Sequence, residues 1–522
     1  MAAAGIENTE SSLEPFTAVE PEALWHQLRS DWLMVGASSE SSSGTSSQPA
    51  KLSYKSAGEV WFAQVKDRHA QLVQQATIAK TVPTPSRTVL IAERSPADFL
   101  ASFWAALLAG WNIALANPSW GLQEWASAAH TLAFDVIWAG PDCPLHTLQS
   151  QARSQSFPVL HKAILIPTGG SSGHIKFAHH RWSSLRAATM GFCQHFGVNV
   201  PVDAYCVLPL YHVSGLMQAL RTIISGGQLF LTPFKPLLSS RLSPTAERDL
   251  APDRFISLVP TQLERLLRAE RASWLRQFRA VLLGGAPPWP SLLSQAAAEQ
   301  LPLCLSYGMT ETAAMVTATR PGDFIESSDH LDAFGSGLVM PHAGIEIHDS
   351  GRSLLPANEI GQIVVRSSAI AQGYLTSVAP PLSSSFALST FYTDDLGYLD
   401  DTGCLHITGR ASRKIISGGE NIFPDEVESA LRSTEQVKDV CVLGLPDSEW
   451  GEVVVAVYVP MHETVLPESL KAALTNANCQ GPQLSHYKHP KRWFPVTQLP
   501  RNAQGKLNYT AILNLIETLS TQ

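Results

Sequence analysis

The stretch TVLIAERSPADFLASFWAALLAGWNIALA, residues 88–116, decides the fold class. It opens with TVLIA, a short apolar run suited to a buried strand. Ser95-Pro96 follows, an N-cap residue ahead of a proline at the first helical position. Phe99, Phe103 and Leu107 then recur at helical spacing until Gly110, and residues 112–116 return to an apolar strand. A strand, a crossover helix and a second strand in so short a span imply parallel pairing and an α/β fold.

The same alternation continues outward. Strands are expected at 134–138, 162–166, 204–209, 228–232, 255–259, 279–283 and 302–306, with helices at 181–195, 214–225 and 261–268. After about residue 330 the helices thin out. Segments such as GIEIHD, GQIVVRSS and GCLHITG alternate or end in glycine, which predicts an antiparallel, barrel-like β region. From 411 a small α+β unit is expected, with a helix from Pro424, strands at 439–444 and 453–458, and a helix at 467–474. The division is therefore a large N-terminal domain, 1–410, and a small C-terminal domain, 411–522. Near the start, helices are expected at 22–32 and 58–77, on either side of a flexible serine-rich loop at 37–48.

Of the 522 residues, 45% are hydrophobic and 16% charged, which supplies large cores. Lys plus Arg count 37 against 45 Asp plus Glu, so the formal charge is 37 − 45 = −8. That balance argues against a nucleic-acid partner or an anionic-lipid surface. Seven scattered cysteines, none in a CxxC pair, support neither a disulfide framework nor a zinc module. The N-terminus lacks the basic and apolar regions of a signal peptide. The most apolar stretch, 99–115, is broken by Gly110 and Asn112 and is too short for an integral membrane segment. The expected location is cytoplasmic.

Four segments carry chemistry. IPTGGSSGHIK, 166–176, packs Thr168, Gly169, Gly170, Ser171, Ser172 and Gly173 ahead of Lys176. Glycines let backbone N–H groups approach an anion, hydroxyls add donors, and the lysine adds a point charge. The spacing is not that of a P-loop, and a plain glycine-serine turn is the alternative. SYGMTETAAM, 306–315, holds Tyr307, Gly308, Thr310 and Glu311 just past a strand end, where open α/β sheets place ligands. A carboxylate there could hold Mg²⁺ beside a phosphate, or merely cap a turn. Residues 392–428 combine Asp395, Arg410 and the pair Gly418-Gly419. LPRNAQGKLNY, 499–509, places Lys506 after a glycine in a polar loop; alone it would read as a solvated charge.

In this order and spacing the four segments resemble the adenylate-forming superfamily of acyl-CoA synthetases, adenylation domains and luciferases, over about residues 88–515. The chain departs from the superfamily pattern at Ile175 (usually proline), Phe177 and Asp394 (usually glycine) and Arg413 (commonly Asp or Lys at the interdomain hinge). A charged Arg413 is compatible with a solvated hinge. LPLYHVSGL (208–216), ISLVPTQL (256–263), LLGGAPP (282–288) and ISGGENIFPDEVE (416–428) resemble the group of 2-succinylbenzoate–CoA ligases.

The resemblance implies a large layered α/β domain with a barrel-like region and a small mobile α+β domain. It implies ATP, Mg²⁺ and CoA as reactants and a small carboxylic acid as substrate, in menaquinone or phylloquinone biosynthesis. Thr168 to Gly173 and Lys176 would hold phosphates, with Gly284, Gly285, Ala286, Tyr307, Gly308 and Thr310 completing the ATP site. Glu311 would hold the metal, and Asp395 and Arg410 the ribose. Lys506 would bridge the substrate carboxylate and the α-phosphate. His212 would gate the acyl pocket, with Ser214 and Arg221 on the substrate acid, although a core histidine and an outward-facing helix arginine are the plain alternatives. Arg413 would mark the hinge, and Ser417, Gly418 and Gly419 the CoA passage. Other readings are another aryl- or fatty-acyl-CoA ligase, a carrier-loading adenylation enzyme, and a non-catalytic nucleotide- or acyl-binding protein. A homo-oligomer is compatible with all of them.

Overall fold

A computed structural model describes residues 20–27, 32–35, 56–78, 87–148, 160–169, 175–198, 201–238, 253–326, 335–376, 385–447, 450–475, 484–501 and 507–520. The serine-rich loop, residues 170–174 of the glycine-rich segment and Lys506 lie outside these ranges.

The deciding stretch forms the expected unit. Strands Thr88–Ala92 and Asn112–Leu115 pair in parallel with Val89 opposite Ile113, joined by helix Pro96–Leu108. Ser95 caps that helix by accepting the Asp98 N–H at 3.3 Å. Both strands are wholly buried, which explains their unbroken apolar runs. Val136–Ala139 joins on one side and Ile164–Gly169 on the other, both parallel. The chain then reverses: Ile175–His180 pairs antiparallel with Ile164–Gly169, and Tyr374–Thr376 closes the six-stranded sheet.

A second sheet has eight strands, in the order Leu33–Val35, Leu229–Leu231, Asp203–Cys206, Arg254–Leu258, Ala280–Leu283, Leu303–Met309, Ala314–Ala318 and Leu338–Val339. The first six run parallel and the last two pairings are antiparallel. Helices Trp182–His195 and Val213–Ser225 share one core with residues of both sheets, among them Ile91, Ile113, Leu185, Leu216, Leu220 and Leu229. The second helix is buried on nearly every side because a sheet lies on each flank.

The helix-poor region is an antiparallel sheet of Ala343–His348, Gly361–Ser367, Thr390–Leu399 and Phe386–Ala387, with Leu405–Arg410 also on Thr390–Leu399. The last sheet comprises Glu420–Ile422, Ile415–Ser417, Gly451–Pro460 and Val437–Asp447, with Arg492–Pro495 beside Gly451–Pro460. Its alternate residues serve two cores. Val440, Val442, Val454 and Ala456 pack with helices Pro424–Ser433 and Pro467–Thr475, while Cys441, Val453, Val455 and Val457 pack with Tyr509–Ser520.

Of the helix expected over 22–32, Pro21–Gln27 is helical and residues 28–31 lie outside the described residues; Trp32 leads into edge strand Leu33–Val35, which pairs with Leu229–Leu231. Among the described residues six cysteines are free thiols, and no helix is long and apolar enough to cross a membrane.

Candidate active site

Two paired strands flank the glycine-rich segment. Thr168 and Gly169 end one strand, Lys176 lies opposite Thr168 on the returning strand, and residues 170–174 connect them. Ile175 and Phe177 are buried on the returning strand, where proline would break pairing and glycine would leave a void. The Ile175 N–H donates to the buried Ser127 Oγ at 3.1 Å, a bond no proline could make. Of the predicted cradle, Gly170, Ser171, Ser172 and Gly173 lie outside the described residues.

Strand Leu303–Met309 delivers Tyr307 and Gly308, and a single 3₁₀ turn, Thr310–Thr312, follows with Glu311 buried in it. A Cβ on Gly308 would fall 1.9 Å from the Ala314 carbonyl oxygen, so only glycine fits there. Three groups fix the turn. His180 Nε2 donates to the Thr310 carbonyl at 2.7 Å, the Ala371 N–H donates to the Glu311 carbonyl at 2.8 Å, and the Tyr374 hydroxyl donates to Glu311 Oε1 at 2.5 Å. Lys176 Nζ lies 5.7 Å from the Tyr374 ring centroid. Neither His180 nor Tyr374 carries a local sequence signal, because each acts on a turn far along the chain.

Asp395 and Arg410 are partners on antiparallel strands, with Arg410 Nε donating to Asp395 Oδ1 at 3.0 Å. Tyr307 donates to Asp395 Oδ2 at 2.8 Å, so the motif from 306–315 and the one from 392–428 meet. Burial first, and then the Asp395 charge, push the Tyr307 phenol well above its ordinary range. Asp394 points the other way and accepts the Ser412 backbone N–H at 3.2 Å and its hydroxyl. Gly284, Gly285 and Ala286 form the turn after Ala280–Leu283, with Gly285 at φ +83.

His212 is the N-cap residue of helix Val213–Ser225, its ring 4.7 Å from that of Tyr211, and Ser214 is exposed at the start of the helix. Arg221 is nine residues on, about 13 Å along the axis. The outward-facing alternative for Arg221 is overturned. It is 5% exposed, its guanidinium lies 4.1 Å from the Phe192 ring centroid, and its Nε has no hydrogen-bond acceptor among the described residues. The helix between two sheets offers it no solvent face.

The side chain of Arg413 does not stand free in solvent; it is 19% exposed. It donates to Asp425 at 2.6 Å and Glu428 at 2.8 Å, and its guanidinium sits 4.9 Å from the Tyr509 ring centroid. Ser417 is buried at the end of its strand and pairs with Glu420; Gly418 (φ +59) and Gly419 (φ +86) form the two-residue hairpin turn between them. Both glycines need left-handed backbone there. Trp450, 40% exposed, lies against Gly418, and Lys491 Nζ is 3.0 Å from its ring centroid. This exposed aromatic–cation pair beside the glycine turn has no counterpart among the residues expected from sequence.

A family model described as AMP-binding enzyme matches residues 146–375, and one described as AMP-binding enzyme C-terminal domain matches 426–506. The chain is similar to the 2-succinylbenzoate--CoA ligase of Enterococcus faecalis, 31% identical over 365 residues that cover 69% of this chain and 71% of that protein. It is similar to the protein of the same name from Bacillus licheniformis, 34% identical over 359 residues covering 66% and 68%. Among solved structures, o-succinylbenzoate CoA synthetase from Bacillus subtilis in complex with its acyl-adenylate intermediate aligns with a TM-score of 0.73 at 26% identity, covering 87% of this chain and 92% of that one.

Proposed function

The chain belongs to the AMP-binding enzyme family, and from that premise we propose that it is an ATP-dependent ligase that joins 2-succinylbenzoate to CoA. In the first half-reaction the succinyl carboxylate attacks the α-phosphate of ATP, forming acyl-AMP and releasing pyrophosphate. In the second, the CoA thiol attacks the acyl carbon and AMP leaves. The observation that carries the reading is the meeting of Asp395 and Arg410, on paired strands, with Tyr307, whose own strand leads into the Glu311 turn.

The first half-reaction brings two anions together, so neutralisation of charge dominates its barrier. Asp395 accepts hydrogen bonds from the ribose hydroxyls, and Arg410 steadies it. Thr168 to Gly173 and Lys176 would hold the β- and γ-phosphates, with Thr310 beside the α-phosphate. One buried carboxylate with a committed oxygen suits Mg²⁺, which takes one or two carboxylate oxygens plus substrate phosphates. When bound, Mg²⁺ neutralises the phosphate oxygens. Lys506 bridges the attacking carboxylate and the α-phosphate, and residues 411–522 turn as a unit to exchange it for the Ser417-Gly418-Gly419 turn before the thiol attacks. Trp450 and Lys491 then offer an aromatic face and a cation to the nucleotide end of CoA.

A second carboxylate on the substrate needs a cation, because an unpaired buried carboxylate costs several kcal/mol. Arg221, buried and lacking an acceptor for Nε, supports a diacid over a fatty acid, which would want a wholly apolar tunnel. His212 and Ser214, at the start of the same helix, would line the entry to the acid pocket. The product would enter menaquinone or phylloquinone synthesis in the cytoplasm. A homo-oligomer is compatible with the reading.

The test is pyrophosphate release over a panel of acids, with and without CoA. Sustained AMP formation with 2-succinylbenzoate and CoA is expected. Turnover confined to monoacids would replace this substrate by another aryl or fatty acid, and indifference to CoA would defeat the second half-reaction. Lys506→Ala should suppress acyl-AMP formation far more than conversion of preformed acyl-AMP to thioester; equal losses would reject the role given to the lysine.

A further inference from the structure

Glu311 is held from three directions. Its carbonyl takes the Ala371 N–H, the carbonyl before it takes His180 Nε2, and its Oε1 takes the Tyr374 hydroxyl at 2.5 Å. Glu311 is 7% exposed, and among the described residues the hydrogen bond to its carboxylate is the one from Tyr374 to Oε1. Tyr374 is itself fixed. Its strand pairs with Ile175–His180, which puts Tyr374 opposite Ala178 and Thr376 opposite Lys176, and its ring meets Phe386 edge-on at 5.1 Å. A side chain anchored at the backbone and at the ring cannot follow Glu311 if the carboxylate tries to turn.

We infer that Tyr374 determines the metal selectivity of the site by leaving Glu311 a single oxygen to offer; the inference rests on the reading of Glu311 as the metal ligand. The physical reason lies in the coordination habits of the two common hard cations. Mg²⁺ is small and octahedral, and takes single carboxylate oxygens along with water and phosphate. Ca²⁺ takes six to eight oxygens and often both oxygens of one carboxylate. A hydroxyl bound to Oε1 occupies one of its lone pairs and holds the carboxylate in one orientation, which works against the two-oxygen grip and so disfavours the larger ion. Because Tyr374 also lies beside Lys176, the same residue ties the metal turn to the returning strand of the phosphate hairpin.

Tyr374→Phe removes the hydroxyl and keeps the ring contacts, so the fold should survive, which a melting curve verifies. The experiment is calorimetric titration of MgATP and CaATP into the full chain without acid, paired with pyrophosphate release in each metal. The wild-type protein should favour MgATP. Tyr374→Phe should narrow the MgATP-to-CaATP affinity ratio by about tenfold, the scale of one charge-assisted hydrogen bond, with the KM for the acid unchanged. A ratio equal to that of the wild type would overturn the inference. Glu311→Gln separates the two layers. If it leaves nucleotide binding indifferent to the metal while Tyr374→Phe keeps the wild-type ratio, the tyrosine inference alone falls. If it leaves metal dependence intact, the reading of Glu311 falls with it.

Discussion

Asp395 and Arg410 face each other across two antiparallel strands, and the bond between them, Nε to Oδ1 at 3.0 Å, leaves Oδ2 to the Tyr307 hydroxyl at 2.8 Å. The two donors differ in exposure: Tyr307 is 8% exposed, whereas 59% of the Arg410 side chain is open to solvent. Water can replace much of what Arg410 gives, but it cannot reach where Tyr307 sits.

Tyr307→Phe should therefore weaken ATP binding more than Arg410→Lys does. Loss of a buried hydrogen bond to a charged acceptor is worth about 1.5–3 kcal/mol, or roughly tenfold and upward in Kd. Calorimetric titration with ATP in the absence of acid measures it. Similar effects of the two variants would show that the orientation of Asp395 does not depend on the buried donor.

The Arg413 network predicts a stability effect rather than a binding one. Arg413→Ala leaves Asp425 and Glu428 facing each other without their shared cation, with Glu428 almost wholly buried. Breaking a buried pair on one side costs about 3 kcal/mol or more. Urea unfolding followed by far-UV circular dichroism should show the loss. A cost below about 1 kcal/mol would mean that Arg432, 3.7 Å from Glu428, suffices.

What the sequence could reveal was local. Pro96, Pro424 and Pro467 mark three helix starts because proline at the first turn is a signal carried by one residue. Gly418-Gly419 marks a turn because two left-handed residues in a row demand it. The grip on Glu311 was not legible, since Tyr374 is 63 residues away and the His180–Thr310 bond spans 130. Arg413 was misread as solvated because its partners sit 12 and 15 residues on, along a helix whose facing could not be known before the sheet it packs on. Arg221 is a related case: a helix buried on all sides looks amphipathic until the second sheet is placed against it.

Ile175 gives a prediction that runs against the family pattern. Restoring the usual proline would ordinarily be neutral or stabilising. Here it deletes the N–H bound to Ser127 Oγ and leaves a buried hydroxyl unpaired. Ile175→Pro should destabilise by roughly 2 kcal/mol in urea unfolding. Ser127→Ala combined with Ile175→Pro should cost less than the sum of the single changes, because the second removes the orphan left by the first. Strict additivity would show the two residues to be uncoupled.

Three histidines predict how the fold answers acid. Burial lowers His179, His180 and His342 from 6.5 to about 4, helped at His179 by the Arg181 charge and at His342 by that of Arg221, and opposed at His180 by its bond to the Thr310 carbonyl. In the unfolded chain they take up protons near 6.5, so between about 6.5 and 4 the unfolded state binds more protons than the folded one. Stability should then rise with pH through that window and level off above it, by about 1.4 kcal/mol per pH unit for each histidine. Urea unfolding between about pH 5 and pH 7 measures the slope, and the variant combining His179→Gln with His342→Gln should lose roughly two thirds of the part that these three histidines contribute. An unchanged slope in that variant would mean that both rings already carry their protons inside the folded protein, and that the acid response comes from carboxylates instead.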